Sequence, residues 1–167
     1  VVYQLGVADD PADFDRVIPI YRDVANVDAA LAKTRELWRE RLSRLRVDTP
    51  DDGFNSVANV WAQYQVAMTS LESRTFCSWK WGAQVGMGFR DTSQDQMGVA
   101  HMMPSRARSK LCLLMGVQYN DGTPAHSYIP STDSTVDRDF RDDHLWMVIS
   151  TCNYIKETGD ESLLEER

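Results

Sequence analysis

Apolar residues return every three or four positions through most of this chain, the spacing of helices with one buried face. Leu31, Thr34, Leu37/Trp38, Leu42 and Leu45 predict a helix over Ala29 to Leu45, and "DTPDDG" ends it. Val57, Val60, Trp61, Tyr64, Met68 and Leu71 predict a second from Ser56 to Ser73, buried along one broad face. Thr92 or Ser93 is placed to cap a third, running to Met103. Pro104 can start a helix but not continue one, so a fourth runs from Pro104 to about Tyr119, stopped by "NDG". The last begins near Asp142 or Asp143 and runs to about Thr158, with Gly159 as its stop. The strand-like run "VVYQLG" opens the chain, and an acidic connector, "VADDPADFD", follows. "TPAHSYIPSTDSTVDRDF" reads as a long polar connection, of a length that usually carries function. Helices joined by loops predict a mainly α architecture.

Composition narrows the partners. At 167 residues and 43% hydrophobic content the chain can bury one core. A net charge of −7 and a pI near 4.9 argue against nucleic acid or an anionic membrane as the main partner. No apolar run approaches the ~20 residues of a membrane span, and no signal-peptide pattern opens the chain. Cys77, Cys112 and Cys152 are odd in number and lack a Cys-x-x-Cys pair, so a reducing cytoplasm and small core cysteines are expected.

Most catalytic motifs are missing. "GMGFRDTSQD" sets glycines before a helix, but it is not a P-loop and no strand pattern precedes it. The glycines suit a turn that leaves Arg90 and Asp91 at a helix start, either as an ion pair or as groups that grip sugar hydroxyls. Trp79, Trp81 and Phe89 crowd the same loop, where aromatic faces could stack on sugar rings. His101 and His126 have no histidine four residues away, so no metal site is expected. There remain Asp142 and Asp143 in "DRDFRDDHLW". They read either as helix-start carboxylates stabilised by the macrodipole and capping, or as an acid catalyst. The dipole and nearby arginines lower a carboxyl pKa, whereas a general acid at neutral pH needs the opposite shift.

"NVWAQYQVAMTSLESR", "GFRDTSQDQMGVAHMMPSRAR", "QYNDGTPAH", "DDHLW" and "YIKETGD" together resemble glycoside hydrolase family 94. These are the inverting β-glucoside phosphorylases, including the cellobiose, cellodextrin and chitobiose enzymes. The likeness runs in order from about Asn55 to Asp160, roughly two-thirds of the chain. It implies an internal fragment. Residues 1–12 would end an N-terminal β-sandwich, 13–50 form a helical linker, and 51–167 open an (α/α)6 barrel. It implies phosphorolysis of a β-linked glucosyl sugar to α-glucose 1-phosphate, with inorganic phosphate as co-substrate and neither cofactor nor metal. By the same resemblance Asp142 would be the general acid and Asp143 its orienting neighbour. Arg90, Asp91 and Gln94 would bind the transferred glucosyl unit, Arg138 the phosphate, and Phe140 the sugar face. A cytoplasmic homodimer is the implied assembly. Some relatives carry another arginine where Gln84 and Val85 stand, which leaves the sugar preference open. Cyclic-glucan-type and chitobiose-type activities, and a non-catalytic carbohydrate-binding helical domain, are the alternatives.

Overall fold

The computed structural model describes residues 3–7, 10–73, 86–130, 132–136 and 140–165. The chain divides into two compact units, residues 1–41 and 42–167, with the division inside the expected linker.

In the first unit, α1 (Pro11–Tyr21) occupies a segment expected to be a connector. Asp10 caps it by accepting from Ala12 N at 2.9 Å, and Pro11 at its first turn has no N–H to leave unpaired. α2 (Val24–Ser43) starts five residues before the predicted helix, because Asp23 accepts from Ala25 N at 2.9 Å. No residue of α1 or α2 is buried, and Leu31 and Leu37 remain more than 40% exposed. Residues 3–7 pair with no strand, contrary to the reading of "VVYQLG". A strand needs a neighbour for its backbone groups, and the described part of this unit is otherwise helical.

The second unit opens with α3 (Asp52–Ser56), a π-helical turn (Val57–Trp61), α4 (Ala62–Met68) and a second π turn (Thr69–Ser73). The helix covers the expected Ser56 to Ser73 but begins at Asp52, and its buried face is not the predicted one. Gln63, Ala67 and Ser70 are buried, whereas Val57, Val60, Trp61 and Tyr64 are exposed. α5 (Phe89–Val99) comes close to this helix at Gly98, where a Cβ would lie 2.6 Å from Val66 Cγ1.

α5 begins three to four residues before the predicted cap. Gly88 stands at its N-cap, and Phe89 N donates to His126 O at 2.9 Å. The acceptor comes from a distant loop, which satisfies one of the free amides of a helix start. Thr92 and Ser93 therefore lie inside the helix and are buried with Phe89, Gln96 and Val99. Phe89 is 1% exposed, so it is a core ring and not the surface platform expected of it. Trp79 and Trp81 lie outside the described residues.

α6 (Pro104–Gly116) starts where expected, ends about three residues before the expected Tyr119, and buries Ala107, Leu111 and Leu114 at helical spacing. The predicted polar connection instead contains two strands, β2 (Ser127–Ile129) and β3 (Ser134–Val136). With β1 (Met87–Gly88) they form an antiparallel sheet in the order β1-β2-β3, pairing Gly88 with Ser127 and Ser127 with Val136. Asp133 takes a positive φ of 47° in the β2–β3 turn, which aspartate tolerates. α7 (Asp143–Thr158) starts and stops as predicted, with Gly159 left-handed at φ 71°. α5, α6 and α7 pack on one another. Cys112 is half-buried but Cys152 is exposed, contrary to the core role expected; Cys77 lies outside the described residues.

Candidate active site

Two helix starts meet across this unit. The sheet delivers the chain to Phe89 and Arg90 at the head of α5, and the connection after β3 delivers it to Asp142 and Asp143 at the head of α7. Successive helix residues point about 100° apart, so adjacent side chains meet different surroundings. On α7 the buried stripe is Asp143, Met147, Ser150, Thr151 and Tyr154. Asp143 is its first member and is 2% exposed, while the Asp142 side chain is 45% exposed. On α5, Phe89 turns into the core and Arg90 turns toward the acids.

Arg90 bonds one carboxylate and faces the other without a hydrogen bond. Its Nη2 donates to Asp142 Oδ1 at 2.8 Å, and its Nε lies 3.9 Å from Asp143 Oδ1. The indole Nε1–H of Trp146 donates to Asp142 Oδ2 at 3.2 Å. His126 Nδ1 lies 2.9 Å from Asp143 Oδ2. Phe140 stacks on the His126 ring, with centroids 4.1 Å apart and planes inclined by 16°. The Arg90 guanidinium sits 5.8 Å from the centre of that same Phe140 ring.

Asp142 stands at the N-cap position of α7, yet its side chain makes no capping bond. The capping reading of this residue is thereby removed: both oxygens are turned to Arg90 and Trp146. The Trp146 hydrogen bond holds the Asp142 carboxyl below the usual carboxylate range; desolvation opposes it, and the Arg90 charge adds to the lowering. Asp142 is thus ionised at neutral pH.

Arg90, Asp142, Asp143 and Phe140 are gathered at one place. Asp91 and Gln94 are exposed on α5, one turn apart. Arg138 lies outside the described residues. Sequence reasoning left His126 without a role once metal binding was set aside, and it gave Trp146 none. A histidine paired with an acid 17 residues away has no local signature, whereas Trp146 lies one helical turn after Asp142, a spacing that could have suggested it. Among the described residues no cluster of histidine, cysteine, aspartate and glutamate suits a metal ion.

Residues 37–167 match the model of the Glycosyl hydrolase 94 superfamily, catalytic domain. The chain belongs to this superfamily. Its similarity to N,N'-diacetylchitobiose phosphorylase of Vibrio proteolyticus is 31% identity, covering 98% of this chain and 23% of the relative. The cyclic beta-(1,2)-glucan synthase NdvB of Rhizobium meliloti (strain 1021) is 30% identical over 100% of this chain and 6% of the relative. Solabiose phosphorylase of Paenibacillus borealis is 29% identical over 74% of this chain and 14% of the relative. This family 94 chain therefore spans less than a quarter of the length of these curated relatives. Among its described residues no helix is long and apolar enough to cross a membrane.

Proposed function

We propose that the protein carrying this chain is an inverting phosphorylase of a β-linked disaccharide or short oligosaccharide. Asp142 protonates the leaving glycosidic oxygen while phosphate attacks the anomeric carbon from the opposite face. The C–O bond to the leaving sugar breaks, a C–O bond to phosphate forms, and the products are an α-sugar 1-phosphate and the shortened sugar. The single supporting observation is that Asp142 gives up capping its own helix and holds a half-exposed carboxylate against Arg90 and Trp146. An inverting hydrolase needs a second carboxylate to activate water. Phosphate is already a charged nucleophile, so one acid suffices, and Asp143 is free to serve as a buried brace.

The lowered pKa of Asp142 suits this role only when an anion joins the site. A phosphate dianion near Arg90 draws the guanidinium's field from Asp142 and raises its pKa, so that Asp142 takes up the proton it donates. Arg90, Asp91 and Gln94 bind the transferred sugar, Phe140 meets its face, and Arg138 holds phosphate. The helices of residues 51–167 open an (α/α)6 barrel, and residues 13–50 are its linker after a sandwich domain that ends by residue 12. Cytoplasmic location and a homodimer belong to the same proposal.

Two relatives named for N,N'-diacetylchitobiose, at 31% and 33% identity, cover 98% and 87% of this chain. A β-linked amino-sugar disaccharide therefore stands beside cellobiose as a substrate. The test is phosphate-dependent release of sugar 1-phosphate from N,N'-diacetylchitobiose, cellobiose and short cellodextrins by the full-length protein and by Asp142→Asn. The expected loss in turnover is about 10²–10⁴-fold, the usual contribution of a general acid. Near-normal turnover by that variant removes Asp142 from the role. Sugar binding without release would make this a binding domain.

A further inference from the structure

Asp143 and His126 are not needed as acid or nucleophile in the reaction above, yet they are built into the site. Asp143 is buried, and one of its oxygens lies 2.9 Å from His126 Nδ1. Its other oxygen faces the Nε of Arg90 at 3.9 Å, and Arg90 in turn holds Asp142 at 2.8 Å. His126 is fixed from a second side by its stack on Phe140, and from a third by its own backbone: its carbonyl accepts from Phe89 N at the head of α5. One residue thus joins the chain entering β2, the first amide of α5, the buried carboxylate of α7 and the ring before α7.

We propose that His126 is a positioning residue for Arg90 and Asp142: it donates its Nδ1–H to the buried Asp143 carboxylate and braces Phe140. Asp143 then presents a fixed negative edge to Arg90, whose fork reaches Asp142 with the proper direction. A carboxylate oxygen only accepts, so a hydrogen bond across this 2.9 Å contact puts the hydrogen on Nδ1 of His126. Orientation is worth much in such a chain, because a displacement of about 1 Å in a supporting group can cost on the order of 10²-fold in rate. The inference deepens the phosphorolytic reading and rests on it for its kinetic consequences. The tautomer it assigns does not depend on that reading.

His126→Phe keeps the flat ring on Phe140 and removes the donor. His126→Asn keeps a donor near the Nδ1 position and removes the ring, and His126→Ala removes both. In the full-length enzyme His126→Phe and His126→Ala should lower kcat by roughly 10–100-fold, with KM for phosphate and sugar changing far less. His126→Asn should recover most of the kcat lost in His126→Ala. Nitrogen-15 spectra of wild-type histidine should show the Nδ1–H form of His126, and Asp143→Asn should disturb that signal. Wild-type kcat in His126→Phe overturns the proposal, as does equal loss in the phenylalanine and asparagine variants, and so does an Nε2–H tautomer. If wild-type enzyme releases no sugar 1-phosphate, the phosphorolytic reading fails, and the tautomer still decides the pairing. If the variants do not fold, the wild-type spectrum decides it in the same way.

Discussion

Replacing Asp143 isolates the value of the buried brace. Asp143 is 2% exposed, accepts one short contact from His126 and faces Arg90 Nε at 3.9 Å. At an effective dielectric near 20, two unit charges at that distance attract by about 4 kcal/mol before desolvation is subtracted. Desolvation removes much of this, so the net value of the pair is small, but removing one partner of a buried pair is costly at about 3–5 kcal/mol. Here the low end applies, because Arg90 keeps Asp142 as a partner at 2.8 Å and its side chain is 35% exposed. Asp143→Ala should therefore destabilise the fold by about 3 kcal/mol. Asp143→Asn keeps the volume and an acceptor for His126, and loses the charge-assisted part of one hydrogen bond, about 1–2 kcal/mol. Thermal and urea denaturation of the full-length protein near pH 7 would give the two values. The Asp143→Ala deficit should persist at high salt, since buried charges are weakly screened. Losses below about 0.5 kcal/mol in both variants would refute the reasoning. So would an asparagine variant less stable than the alanine variant.

Gly98→Ala should destabilise by about 1–2 kcal/mol, because the new methyl meets the stiff Val66 side chain at 2.6 Å and overpacking outweighs the gain in helix propensity; a rise in melting temperature would argue against it. Gly159→Ala should cost about 1 kcal/mol at the left-handed end of α7, read by the same denaturation. Asp160 accepts from Ser162, Tyr154 and Arg108, and these bonds hold its pKa at about 2. A depressed carboxyl pKa stabilises the fold above the unfolded value and loses that contribution as pH falls from about 4 toward 2, so Asp160→Asn should flatten the acid limb of a stability–pH curve; an unchanged limb would count against the pairing. Arg90→Lys should lose nearly as much turnover as Arg90→Ala, because a point ammonium cannot reach two carboxylates in different directions; full activity would show that only charge is needed.

Helix positions were largely legible because a period of 3.6 with glycine and proline breaks is a local property. α7 falls where its spacing and stop placed it, α6 starts at Pro104 as expected but ends at Gly116, before the "NDG" stop, and the helix after residue 50 begins four residues early. Which face of a helix is buried is not local. Tyr64 and Trp61 promised a broad apolar contact, but Gln63, Ala67 and Ser70 are the buried residues, and α5 packs against Val66 through Gly98. Likewise "SYI" and "STV" are too short to announce strands, and become so only when Met87 and Gly88 supply a third partner. Charged groups at helix starts are visible in one dimension, so the sequence marked Arg90, Asp142 and Asp143 as candidates, and the family resemblance supplied their expected roles. The resemblance assigned the acid to Asp142 and the orienting role to Asp143, but nothing local in the sequence showed what either side chain would touch. Their different surroundings are set at the start of α7, where Asp143 turns into the core toward His126 and the N-cap residue Asp142 faces Arg90 and Trp146. Contacts such as Arg90 to Asp142, 52 residues apart, exist only where packing closes the chain on itself.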